Sequence, residues 1–385
     1  EEFDQPEGDE NTYNHYSGSA GVPLASLGQR IAASIYIRDP RLLNTGVLRP
    51  DSHLLLRRDV KKRVNALAPF LQLKGDPYLV SVPMESGLDR YQENQHQYWI
   101  VDGYTSSNTY PYASTLPDGQ KMRYVRNSVK AIVDAYNGSV HLYVSEPDDP
   151  IIRGWQKVFP KLFQPLESMP TSLRQHLMVP SSLLELQVQQ LLRYHVTDAR
   201  IFYSGDDVWQ VPKELYGTTQ IPVAPYHITA QLKRSLDSEF LLLQPLTHLA
   251  RPNLSGLLAA RSDADHYGEL VLMRFPSDIP IFGPEQIQAL INQNPEISQQ
   301  FGLWDRAGSQ VVQGNLLVVP LGNALLYVEP IYLRARRGGL PTLTRIVVSD
   351  GSRVAMANDL STGLEALLRG SGSKDVVVQE LDKAS

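Results

Sequence analysis

Asp148 and Asp149 are adjacent carboxylates near the end of "SVKAIVDAYNGSVHLYVSEPDDPIIRGW", residues 128–155. Paired carboxylates suit acid–base hydrolysis, but glycosidase pairs stand about 5–9.5 Å apart across a cleft, which sequence neighbours rarely achieve. The next residue offers a different role. A carboxylate just before Pro150 reads as a helix start, because the acid accepts from free backbone N–H groups and proline fills a position that needs none. Asp149 is therefore expected to cap a helix, with Asp149→Asn costing little and Asp149→Ala about 0.5–2 kcal/mol.

Other constellations are weaker. Ser262 lies beside Asp263 and His266, but no G-x-S-x-G elbow occurs, and a triad is assembled in space rather than in sequence. His15 with Asp9 and Glu10, or His195 with Asp198, lacks the paired-histidine spacing of a zinc helix. "DQPEGDEN" (4–11) alternates oxygen ligands but is not a calcium loop of twelve residues closed by Glu. Asp206 and Asp207 are neighbours like Asp148 and Asp149, and no Walker A or G-x-G-x-x-G sequence is present. No catalytic residue, metal or cofactor is assigned. What remains is a density of Tyr, Asp, Asn and Arg between residues 98 and 153. Interfaces favour Tyr and Arg, so the candidate binding residues are Asp102, Tyr104, Arg126, Asn127, Asp149 and Arg153, joined by His195 and Asp198.

The whole chain sets the class. Its 385 residues are 42% hydrophobic and 20% charged, an ordinary globular composition long enough for more than one core. A net charge of −5 argues against a nucleic-acid binder. Basic residues cluster at Arg57, Arg58, Lys61, Lys62 and Arg63, and again at Arg334, Arg336 and Arg337; a solvated face or loop is the reading for both, and contact with anionic lipid is an alternative for the second cluster. With no cysteine, disulfides and thiolate chemistry are excluded. "GNLLVVPLGNALLYVEPIYL" (314–333) has the length of a spanning helix, but Pro320, Gly322, Asn323 and Pro330 divide it, so buried strands joined at Gly322-Asn323 are expected.

The elements that must position these residues follow from periodicity. Helices are expected over 23–36, 51–67, 170–177, 180–195, 252–261, 284–293 and 360–369, with one more after Pro150. Leu184, Val188, Leu191 and Leu192 form one helical stripe. Strands are expected over "PYLVSV", "HQYWIVDGYT", 222–233, 239–246, 268–275, 310–319, 324–333, 343–349 and 353–357. Asn137-Gly138 marks a hairpin in the opening stretch, with positive φ expected at both residues. "YWIVDGYTSS", "AIVDAYNGSV" and "RIVVSDGSRV" each place Asp near an expected turn. Residues 1–21 read as a loop or linker. The fold class is α+β, mostly antiparallel sheets with inserted helix groups in two lobes. The expected divisions are 1–75 (N-terminal loop and helices), 76–215 (hairpin sheet and helix group), 216–370 (second α+β lobe) and 371–385 (flexible tail).

Long ordered stretches carry a resemblance: "EFDQPEGDEN", "YWIVDGYTSSNTYPYA", "YVRNSVKAIVDAYNGSVHLYVSEPDDPII", "YHVTDARIFYSGDDVW", "LAARSDADHYGEL", "NPEISQQFGLWDRAGSQVVQGNLLVVP" and "ALLYVEPIYL". Together they resemble Uncharacterised Protein Family 0182, bacterial membrane proteins of unassigned activity, from Phe3 to about Leu368. The pattern departs from the family at Val196, Ala199 and Leu177-Met178. The resemblance implies several transmembrane helices followed by a large extracytoplasmic domain, of which this chain is that domain. It also implies a membrane partner through helices outside this chain, and no family catalytic residue. The expected function is a non-enzymatic scaffold, assembly or envelope-binding module with a protein or glycan partner and no nucleic acid. The alternative is an envelope-acting hydrolase, metal-assisted, without a local motif.

Overall fold

The computed structural model describes residues 2–7, 10–14, 16, 18–44, 46, 48–49, 51–83, 95–113, 122–217, 219–232, 237–263, 266–276, 278–306, 308–322, 324–336 and 339–369. The loop expected over 85–95 (except Gln95), the tail from 371, and Asp9, His15, Asn323 and Arg337 lie outside them. The architecture is α+β with mostly antiparallel sheets, in two compact units, Glu1–His176 and Leu177–Ser385.

The first unit is built on a six-stranded sheet. Its two long central strands, Gln95–Ser107 and Tyr124–Asp134, are antiparallel. Tyr78–Pro83 and Gln72–Leu73 both pair with the first, and Val140–Val144 pairs with the second. Phe163–Pro165 adds a parallel edge. Val101, Val129, Ala131, Val133, Leu142 and Val144 pack with Val64 and Ile152 from two helices. Those helices are Val60–Leu67 and Pro150–Val158.

The expected hairpin is present, with a longer turn. Tyr124–Asp134 closes at Asp134, whose N–H donates to the Ser139 carbonyl at 3.0 Å. The Asp134 carboxylate accepts from the Tyr136 and Asn137 N–H groups at 2.8 and 2.7 Å, which fixes a four-residue loop. Gly138 has φ 70°, whereas Asn137 is not among the positive-φ residues, so Asp134 rather than Asn137 sets the turn. A Cβ on Gly138 would meet Arg63 Cζ at 2.7 Å. Arg63 fills that space because its guanidinium donates to the carbonyls of Gly138, Leu56 and Arg57.

Two expectations for this unit are corrected. Glu2–Glu7 and Glu10–Asn14 are paired antiparallel strands, where a loop or linker was expected. The helix expected from Asp51 begins only at Val60, where Asp59 accepts from the Lys62 N–H at 2.8 Å. Upstream, His53–Leu54 is spent pairing with Val22–Pro23, a long-range contact that periodicity cannot show.

The second unit carries two five-stranded antiparallel sheets that share a core. One centres on Glu239–His248 and Leu254–Arg261, the other on Ala324–Ala335 and Thr342–Ser349. Alternation explains the first sheet. Leu241, Leu243, Leu257 and Ala259 face the shared core, while Leu242, Leu246, Leu258 and Ala260 face Leu184 and Val188 of helix Ser181–Tyr194. A strand covered on both faces is apolar throughout. For that reason 254–261, expected as a helix, is a strand, since a short apolar run does not reveal its period. Helix Pro295–Arg306 follows Pro284–Gln293 and was absent from the periodicity reading. The apolar stretch 314–333 forms strands Leu317–Leu321 and Ala324–Ala335, turning at Gly322 with φ 62°. Among the described residues, no helix is long and apolar enough to cross a membrane.

A carboxyl lies inside this second core. Glu329 is fully buried on strand Ala324–Ala335, where Gln288 and Gln313 amides donate to it at 2.7 and 3.2 Å. Burial pushes its pKa up to about 7, despite those two donors. Glu214, 1% exposed, is also raised by burial while it accepts from Asn315 and the Leu316 N–H. The folded chain therefore holds protons that the unfolded chain releases near pH 4.3. Stability is fully present below that pH and falls as pH rises through about 7, by roughly 3 kcal/mol for Glu329. Glu329→Gln should flatten the fall between about pH 5 and 7, read as denaturant midpoints across pH. An unchanged slope would mean that Glu329 is not the group responsible.

Candidate functional site

The Asp149 cap is one part of a larger arrangement. Asp149 precedes helix Pro150–Val158 and accepts from the Ile151 and Ile152 N–H groups at 3.0 and 3.3 Å. Three hydroxyls converge on the same carboxylate. Thr105 and Ser128 donate to Oδ2 at 2.5 and 2.6 Å, and Tyr124 donates to Oδ1 at 2.7 Å. Thr105 comes from strand Gln95–Ser107, and Tyr124 and Ser128 come from strand Tyr124–Asp134. One side chain thus ties two central strands to a helix start. Burial alone would raise the Asp149 pKa, but hydrogen bonds from Ser128, Thr105, Tyr124 and the Ile151 N–H outweigh it and hold the carboxyl low. Five donors occupy the roughly four lone-pair positions of a carboxylate. Asp149 has no acceptor capacity left for abstracting a proton, so its role is organisation.

A second buried pair lies on the same strands. Asp102 and Lys130 sit opposite each other in register, and Lys130 Nζ meets Asp102 Oδ1 at 2.5 Å. Asn127 Nδ2 donates to the same oxygen at 3.2 Å. Lys130 is fully buried and Asp102 is 8% exposed. Among the three Asp positions that echo one another, Asp134 and Asp350 do make turns, each accepting from two following N–H groups. Asp102 instead lies mid-strand, beside a bulge between Gly103 and Thr105. Bulges gather where a strand must re-aim its side chains.

Tyr124 joins this interior to the surface. Its hydroxyl is committed to Asp149, and its pKa is pushed up to about 12 by burial, reinforced by that bond. Its ring stacks on Tyr110, with centroids 5.5 Å apart, and Arg126 Cζ lies 5.5 Å from the ring centroid. Tyr110 and Arg126 are exposed, and Tyr112, at φ 56°, is wholly exposed. A guanidinium and a phenol ring are thereby presented outward on a support fixed by a buried carboxylate.

The remaining candidates take other positions. Tyr104 is fully buried and belongs to the core. Arg153 is exposed on helix Pro150–Val158. His195 and Asp198 belong to the second unit. His195 stacks on Trp209 at 3.7 Å, and its Nε2 lies 3.5 Å from Asp207, while Asp198 caps helix Ala199–Ser204. Ser262, Asp263 and His266 are each committed elsewhere. Ser262 accepts from the Val179 N–H, Asp263 from the Phe240 N–H, and His266 pairs with Glu269. Among the described residues, no group of three His, Asp or Glu is arranged to hold a metal ion. The residue reading missed Thr105, Ser128 and Lys130. Lys130 carried a signal, being a cation flanked by Val129 and the apolar run Ala131–Val133 in "SVKAIVDAY".

Two predictions follow from the buried groups. Asp149→Ala should cost about 3 kcal/mol or more, above the range of a simple cap, because three hydroxyls lose their acceptor together with two amides. Asp149→Asn should now cost about 1–3 kcal/mol, since donors face both carboxylate oxygens and the NH2 group that replaces one of them cannot accept. Wild-type stability from this carboxylate is present above about pH 3.9 and lost as pH falls through the lower folded pKa. Urea unfolding of the three proteins measures this, and Asn at wild-type stability would return Asp149 to the role of a plain cap. For the second pair, Asp102→Ala alone should cost about 3–5 kcal/mol, and Asp102→Leu with Lys130→Met should recover most of it. A double variant as unstable as the single one would contradict the pairing.

The sequence matches the model of the Uncharacterised protein family (UPF0182) over residues 1–304 of 385. It is 92% identical over 385 residues to a UPF0182 protein of Synechococcus sp. (strain CC9311), covering 100% of this chain and 41% of that relative. It is 71% identical over 381 residues to one of Prochlorococcus marinus (strain MIT 9303), covering 99% and 40%. A relative in Nostoc sp. (strain PCC 7120 / SAG 25.82 / UTEX 2576) is 46% identical over 371 residues, covering 96% and 36%. The chain therefore spans about two fifths of the length of these relatives. No solved structure matches it. The chain belongs to the Uncharacterised protein family (UPF0182).

Proposed function

We propose that this chain is a non-enzymatic binding module, the extracytoplasmic part of a multi-pass membrane protein that engages a protein or glycan. The observation that carries the binding role is the division of labour around Tyr124. The Asp149 carboxylate is saturated by internal donors, while Tyr110 and Arg126 stand exposed against the Tyr124 ring. Aromatic and Arg side chains held rigidly supply contact area at little entropic cost, a property of interface hot spots. The membrane setting and the outward orientation are supported by the family resemblance. A hydrolytic reading would require a cleft lined by the candidate acids.

The test is a pull-down from a bacterial envelope extract with this chain as bait and Tyr110→Ala with Arg126→Ala as control. Tyr104 is unsuitable for the control because it is a core residue, and Tyr124 because it holds Asp149. A partner retained by the wild type and lost by the equally stable variant is the expected outcome. Equal capture by both proteins would remove this surface from the proposal.

A further inference from the structure

We propose that the face built by residues 20–67 of the first unit binds an anionic lipid, with its acyl chain in the cleft beside helix Val60–Leu67 and its acidic head on Arg57. The cleft, about 530 Å³, lies within the size range of small-molecule sites. Val22, Leu54, Leu55, Leu56 and Leu67 line it, with Arg57 among them. An open cleft that carries five apolar side chains together with Arg57 and Arg63 offers both kinds of contact that a hydrocarbon chain ending in an acid needs.

The backbone around the cation is built for display. Arg57 has φ 52°, a left-handed conformation uncommon for a residue with a large side chain. Arg63 holds it there, its Nε donating to the Arg57 carbonyl at 3.0 Å and Nη2 to the Leu56 carbonyl at 2.7 Å. Arg63 is thus occupied by the backbone, whereas Arg57 is exposed and reaches the Tyr36 hydroxyl only at 3.5 Å. That contact joins the end of helix Leu27–Ile37 to Arg57, one of the residues that line the cleft. Leu27, Ile31 and Ile35, four residues apart on this helix, are 67%, 42% and 72% exposed, an apolar stripe with no cover among the described residues.

Charge selects the occupant. Residues 24–63 contain nine Arg and Lys against three Asp, a surplus of six in a chain whose net charge is −5. Arg38, Arg41, Arg57, Arg58 and Lys62 are exposed. A second copy would bring two positive faces together. An anionic bilayer or a free fatty acid supplies both the opposite charge and the apolar tail. This inference does not use the Tyr110–Arg126 surface, so either proposal can fail without the other.

Sedimentation with vesicles of phosphatidylcholine, alone or mixed in equal parts with phosphatidylglycerol, tests one lipid source, and calorimetric titration with palmitate tests the other. The wild type should sediment with the mixed vesicles and not with phosphatidylcholine alone, less so as salt is added. Arg57→Glu should weaken this about tenfold or more, and Ala66→Trp, which fills the cleft wall, by a similar factor. Far-ultraviolet circular dichroism checks that each variant folds, and Ala66→Leu replaces the Trp variant if it does not. Palmitate binding without vesicle binding, lost in both variants, would support the same site with a free fatty acid as source. Absence of binding to either probe, or binding that both variants leave unchanged, would overturn the proposal. Concentration-dependent dimerisation abolished by Ile35→Ser, without lipid binding, would overturn it in favour of a second copy.

Discussion

A carboxylate removed from water must be supplied with donors, and at Asp149 this requirement organises the first unit. Two amides come from the helix it caps and three hydroxyls from the strands beside it. No single element contains all five donors, so the carboxylate is satisfied only when the sheet and the helix are assembled in one register. The bulge at Tyr104 belongs to the same constraint, because it resets the strand just before Thr105. Tyr124 then carries the order outward, since a hydroxyl pinned at Asp149 fixes the ring against which Tyr110 and Arg126 rest.

The second unit handles buried acid in the opposite way. Asp149 is given enough donors to remain ionised, whereas Glu329 receives two amides and is left in a core where burial dominates. Gln288 is shared between Glu329 and the Leu215 backbone, linking helix Pro284–Gln293 to two strands. Such a network gives the core directional contacts that apolar side chains lack, at the expense of stability near neutral pH. The difference between the two acids lies in the number of donors rather than in depth alone.

Much of the fold was legible because its signals are local. The Asp149-Pro150 helix start, the Leu184 and Val188 stripe and the division of 314–333 into strands all depend on residues within a few positions of one another. Where the reading erred, partners far along the chain decided the outcome. His53–Leu54 is a strand because Val22–Pro23 lies beside it, and 254–261 is a strand because both of its edges are paired. The candidate site was legible in part for the same reason. Asp102, Asn127 and Asp149 were visible as polar residues in a Tyr-rich region, but Tyr104 lay in the core and His195 and Asp198 in the other unit.

The sequence by itself determined the class of fold, the helix cap, the absence of thiol chemistry and the likeness to the UPF0182 family, because composition, capping and ordered motifs are written residue by residue. Only the tertiary structure decided that Thr105, Ser128 and Tyr124 share one carboxylate, that Lys130 neutralises Asp102 and that Arg63 sustains Arg57 in a left-handed turn. Donor and acceptor in those pairs are separated by up to 44 residues, and strand register sets the Asp102–Lys130 match. Register is a property of paired chains, and residue order alone does not specify which partner a strand will find.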